Sequence, residues 1–117
     1  MASNILSATA LINLPVKSTA NEDLGTIEEL MIAQESGCVA FAVLSFDDPG
    51  RPNGKLFPIP WEALYLDTNS RAFILNVGRD ALAKAPGFDS DHWPDMADQK
   101  WGEEIYRYYG YEPYWSV

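Results

Sequence analysis

The residues best suited to chemistry fall in one stretch, Asp89-Ser90-Asp91-His92-Trp93-Pro94-Asp95, which holds three carboxylates and the chain's only histidine. Carboxylates one residue apart open many calcium loops. Such a loop also needs an oxygen ligand at its fifth position, glycine at its sixth and glutamate at its twelfth. Those places hold Trp93, Pro94 and Lys100, so Asp89, Asp91 and Asp95 are expected to hold a cation weakly at most. Gly50-Arg51-Pro52-Asn53-Gly54-Lys55-Leu56 hints at a phosphate loop. It is one residue short, and Leu56 stands where Ser or Thr would hold magnesium. A single histidine cannot supply a two-histidine zinc site, and a Ser/His/Asp triad lacks its Gly-x-Ser-x-Gly elbow here. His92, next to Trp93, is expected to be a helix cap or a surface residue. One catalytic alternative remains, a carboxylate-based hydrolase or carbohydrate-handling site built from Glu62, Asp89 and Asp91 with tryptophan platforms. In a chain with seventeen Asp and Glu such pairs carry little specificity. The expectation is no enzyme: no catalytic residue, no cofactor, no metal and no small-molecule substrate.

Aromatic side chains are the other conspicuous resource. Trp61 directly follows the stiff segment Pro58-Ile59-Pro60, which fixes the direction of its ring. Tyr106, Tyr108, Tyr109, Tyr111, Tyr114 and Trp115 crowd ten positions near the C-terminus. These rings either cap the end of the fold or stay exposed as anchors for a partner. The candidate interaction surface is Trp61, Tyr111, Tyr114 and Trp115.

These groups are positioned by elements that the residue pattern suggests. Ala10–Val16 reads as a short strand limited by Pro15, and Thr26–Ile32 as a strand whose broken alternation implies a bulge near Glu28-Glu29. After a turn at Gln34–Gly37, Val39–Phe46 is apolar on both faces and must be central and covered on both sides. Asp47–Gly54 reads as an exposed loop and Lys55–Ile59 as a strand stopped by Pro58 and Pro60. Leu64–Asp67 and Ala72–Val77 flank the turn Thr68-Asn69-Ser70. The result is a mainly β fold, a small closed or nearly closed barrel of six strands over about 8–78. A short helix at Arg79–Ala85 and a longer one over 95–109 follow, the second entered through Asp91–Asp95. Its apolar face is Ala97, Trp101, Ile105 and Tyr108 or Tyr109, and Gly110 suits its C-terminal stop. One domain, 1–117, is expected, with 79–117 as a helical and aromatic extension packed on the barrel.

Composition agrees with a folded domain: 117 residues, 47% hydrophobic and 21% charged. The net charge of −9 is spread evenly, with −4 over residues 1–60 and −5 over 61–117. Such a surface disfavours nucleic acid and anionic membranes. Cys38 begins an apolar run and is expected to be a small buried hydrophobe in a reducing compartment. The start lacks a basic segment followed by a long apolar one, and no window is apolar enough to span a bilayer, so a cytoplasmic location is expected.

Three stretches carry a family resemblance: Leu24-Gly25-Thr26-Ile27-Glu28-Glu29-Leu30-Met31-Ile32, Val39–Phe46, and Lys55-Leu56-Phe57-Pro58-Ile59-Pro60-Trp61-Glu62-Ala63-Leu64. They resemble the PRC-barrel domain, shared by the cytoplasmic part of the photosynthetic reaction-centre H subunit and the ribosome-maturation factor RimM. Phe73–Val77, Ala85–Asp89, Trp93-Pro94-Asp95 and Tyr108–Trp115 resemble a stand-alone bacterial subset of that family. The resemblance implies a PRC-type barrel used as an assembly or adaptor module, binding a protein partner or a second copy. It implies no catalytic, proton-path or RNA-binding residue for this chain.

Overall fold

The computed structural model describes residues 6–46 and 55–113. The loop expected at Asp47–Gly54, the candidate anchors Tyr114 and Trp115, and most of the phosphate-loop-like stretch lie outside the described residues. Seven strands, β1 (Pro15–Ser18), β2 (Asp23–Ile32), β3 (Val39–Phe46), β4 (Lys55–Pro60), β5 (Leu64–Asp67), β6 (Ala72–Leu75) and β7 (Phe88–Asp89), form one sheet. Their order is β5-β6-β1-β2-β3-β4-β7. All pairings are antiparallel except β1 with β6, where Val16 faces Phe73. Three helices complete the described fold: α1 (Ala8–Leu11), α2 (Arg79–Ala83) and α3 (Gln99–Tyr108).

β3 is central, as its two apolar faces demand. Ala42, Leu44 and Phe46 point into the barrel core with Leu24, Ile27, Phe57, Ile59, Phe73 and Leu75. Phe41 and Val43 point outward, to Ile105 and Tyr106 in one cluster and to Leu56 and Phe88 in another. The expected bulge is present, since β2 skips a residue between Ile27 and Glu29 in its register against β3. The turn at 34–36 and the β5–β6 hairpin also fall where the pattern put them.

Four expectations need correction. Ala10–Val16 is not a strand: residues 8–11 make one helical turn, and β1 begins only at Pro15. β4 runs through Pro58, which does not stop it, and ends at Pro60 as expected. Only Lys55 and Leu56 pair with β7, so Pro58 and Pro60 lie where the far side of β4 asks for no N–H donor in the sheet. The seventh strand, two residues long, follows Pro86-Gly87 and has too little pattern to be seen in sequence. Finally, α3 begins at Gln99 rather than 95. Its N-cap is Asp98, whose side chain accepts from the Lys100 N–H at 3.0 Å.

Two local devices hold the ends of the barrel. Ser18, buried at 3% exposure, accepts from the Ala20 and Glu22 N–H groups and donates to Glu22 Oε1, which closes the β1–β2 turn. Glu22 also accepts from the Arg79 N–H, and the Arg79 guanidinium lies 5.1 Å over the Phe46 ring, so the start of α2 is tied to that turn. Gly87 brings the chain tightly past β4. A Cβ there would lie 2.7 Å from the Phe57 ring and 2.9 Å from the Leu56 carbonyl oxygen. Because one obstacle is backbone, Gly87→Ala is expected to lower stability by about 1–3 kcal/mol, measured as a reduced urea midpoint at unchanged slope.

Candidate functional site

The outer face of β3 and β4 is where the C-terminal segment meets the barrel. Helix α3 carries Trp101, Ile105 and Tyr106 on one side. Trp101 and Tyr106 both approach Phe41 edge-to-face, each with ring centroids 5.3 Å apart. Tyr106 is buried, and its hydroxyl donates to the Ala40 carbonyl at 2.7 Å. Sequence spacing assigned the apolar face to Ala97, Trp101, Ile105 and Tyr108 or Tyr109 and missed Tyr106. Tyr106 is set apart by a hydroxyl bonded to a carbonyl of β3, and a period count does not register that. Tyr108 is 41% exposed and donates to the Ala81 carbonyl, which joins α3 to the middle of α2.

The helix ends as Gly110 predicts. Gly110 has φ +82°, its N–H donates to the Arg107 carbonyl, and the Tyr111 N–H donates to the Tyr106 carbonyl. This paired closure, the Schellman motif, turns the chain back and sets Tyr111 beside the core. Tyr111 is half-buried and packs against both the barrel core and the α3 cluster. Trp61, in the 3-10 turn Trp61–Ala63 after β4, is also half-buried and meets Phe73 edge-to-face at 5.8 Å. Each ring therefore has one side on the core and part of its surface in solvent.

Glu62 is placed apart from Asp89. Asp89 pairs with Lys55 at the start of β4, while Glu62 follows Pro60 at its end. The strand alone separates those ends by roughly 17 Å, well beyond the roughly 5–9.5 Å that a carboxylate pair needs for glycoside hydrolysis. Asp89, Asp91, His92 and Glu62 are all exposed. No group of three His, Cys, Asp or Glu is arranged for a metal among the described residues. His92 sits in a turn, its backbone N–H donating to the Asp89 carbonyl, and the Trp93 ring meets Phe88 at a tilt with centroids 4.9 Å apart. Cys38 is exposed, contrary to expectation. It belongs to the turn, one residue before β3 begins, and its N–H donates to Ser36 Oγ.

Comparison with known proteins bears on the barrel. The model of the PRC-barrel domain matches residues 3–82. The chain belongs to the PRC-barrel family. Among solved structures, it is similar to RimM of Pseudomonas aeruginosa, described as a 16S ribosomal RNA processing protein, with 15% identity and a TM-score of 0.47. That likeness covers 64% of this chain and 45% of the other, so the chain matches less than half the length of that protein. No curated protein matches. No helix among the described residues is long and apolar enough to cross a membrane. The PRC match ends at residue 82, so α3 and its aromatic layer lie beyond the matched part of this PRC-barrel protein.

Two tyrosines three residues apart in that layer have opposite environments. Tyr106 is hydrogen-bonded, whereas the buried hydroxyl of Tyr109 has no partner among the described residues. Tyr109 lines a cavity of about 50 Å³ with Ala63, Leu75, Asn76, Val77 and Tyr111. Burial, and secondarily the neighbouring Tyr108, pushes its ionisation well above the ordinary tyrosine range. Tyr106→Phe is expected to cost about 1–2 kcal/mol, because it strips the Ala40 carbonyl of its donor. Tyr109→Phe should cost nothing, and equilibrium denaturation of both variants checks the contrast. The raised value also fixes a sign. The unfolded chain releases the Tyr109 proton first, near pH 10, so this stability is complete below that pH and is lost as pH rises further. The thermal midpoint of the wild type should therefore fall more steeply above about pH 10 than that of Tyr109→Phe.

Proposed function

We propose that this PRC-barrel protein is a non-catalytic protein-binding module of the cytoplasm, acting as a homodimer or on a partner chain. The observation that carries this reading is where the apolar surface is spent. The barrel interior is filled by its own side chains, with Leu24, Ile27, Ala42, Leu44, Phe57, Ile59, Phe73 and Leu75 at 0–1% exposure, which leaves no room there for a small ligand. Large apolar and aromatic side chains remain outside: Tyr65 is 69% exposed, and Trp61 and Tyr111 each keep part of their rings in solvent. Aromatic rings lose little side-chain entropy on binding and are efficient anchors. Tyr114 and Trp115 complete the proposed surface in sequence. A two-fold pair is the commonest way to bury such a patch. The charge of −9 restricts association to contacts that pack well, and it disfavours nucleic acid as a partner.

Sedimentation velocity over a wide concentration range, with affinity capture from the native cell, tests this reading. A concentration-dependent dimer or a retained partner is expected. Trp61→Ala or Trp115→Ala should weaken the association about tenfold or more. A strict monomer that retains no partner, with both variants silent, overturns it.

A further inference from the structure

The tip of the β2–β3 hairpin and the loop leading into α3 face each other across an open groove. It has two stretches, of about 630 Å³ and about 270 Å³, joined through the shared lining residues Ala33, Gln34, Met96 and Ala97. Met31 and Met96, both half-buried, provide an apolar floor above the buried Phe41, and Ile32, 54% exposed, stands beside it. Glu35 and Asp98 are the charged residues of the lining, and no lysine or arginine is among them.

We infer that this groove seats a cationic amphipathic segment of a partner protein. The proposal rests on the protein-binding reading above and adds to it a surface separate from Trp61 and Tyr111. Methionine is unbranched and adapts to varied apolar side chains, which suits a docking floor. The rim then decides the kind of occupant. A neutral apolar segment would strip water from two carboxylates without replacing it. A second copy of this chain, at −9, would bring mostly like charge. A segment with Leu or Met on one face and Lys or Arg beside it satisfies both floor and rim. Asp98 already uses Oδ1 to cap α3, and its carboxylate still presents negative charge to the groove.

Cys38 is exposed, lines the groove and is the chain's single cysteine, so its alkylation by iodoacetamide reports occupancy. The probe is a synthetic amphipathic peptide of leucine and lysine. Two analogues accompany it, one with serine for leucine and one with glutamate for lysine. The leucine–lysine peptide is expected to slow alkylation saturably and to shift amide resonances around Met31, Ile32 and Met96, while neither analogue does so. Ile32→Lys and Glu35→Lys change exposed positions, and each should weaken the protection about fivefold or more with the circular dichroism unchanged. Resonance shifts spread over the acidic surface without protection of Cys38 overturn the groove. So does equal binding by both variants. Alkylation that slows with protein concentration alone assigns the groove to a second copy and overturns the cationic partner. Lack of protection in a protein that still associates through Trp61 removes the groove only. Lack of protection in a strict monomer that retains nothing removes both readings.

Discussion

The structure depends on one strand having no polar face. Because β3 presents apolar side chains to both sides, a barrel alone leaves Phe41 and Val43 in water. Each such side chain left exposed forgoes about 1.5–3 kcal/mol of burial. Helix α3 and the Phe88–Met96 segment answer that demand, and they are drawn from the part of the chain beyond the PRC match. The outer layer therefore packs directly on the family barrel. The aromatic C-terminal sequence is partly the cost of an unusually greasy central strand.

Directional contacts then fix how the layer sits. Edge-to-face rings at Phe41 set the depth of α3, and the Tyr106 hydroxyl on the Ala40 carbonyl sets its register along β3. Asp98 at one end and the Gly110 closure at the other limit its length. The Arg79–Glu22 contact and the Tyr108–Ala81 bond link the β1–β2 turn, α2 and α3 in series. The surface ion pairs, Lys17–Asp23 at 3.8 Å and Arg107–Glu103 at 3.7 Å, add little because solvent screens them.

Elements whose period matched their burial could be read from the sequence: β3, the β2 bulge, the β5–β6 hairpin and the stop at Gly110 all carry local signals strong enough to survive tertiary context. The misread elements are those decided by a neighbour. Pro58 looks like a terminator until the open side of β4 is known. Cys38 looks buried because it touches an apolar run, yet the run starts at Val39. Tyr106 is distinguished from Tyr108 by a carbonyl 66 residues earlier, which no window contains. Of the candidate anchors, Trp61 and Tyr111 were legible as conspicuous rings. Their division between core contact and solvent required the fold. The groove at the hairpin tip left no trace in sequence, since its walls come from residues 31–41 and 96–99.

The parallel pairing of β1 with β6 has a consequence for how the chain is made. Val16 meets Phe73 across 57 intervening steps of chain, whereas β2, β3 and β4 are joined in simple sequence order. On a ribosome the β2–β4 meander can assemble as it emerges, but β1 must wait, its outer edge open, until β6 has cleared the exit. The outer face of β3 waits longer still, until α3 appears. Synthesis from the N-terminus thus covers the apolar outer face of β3 last, and an evenly spread negative charge disfavours contact between chains in that interval.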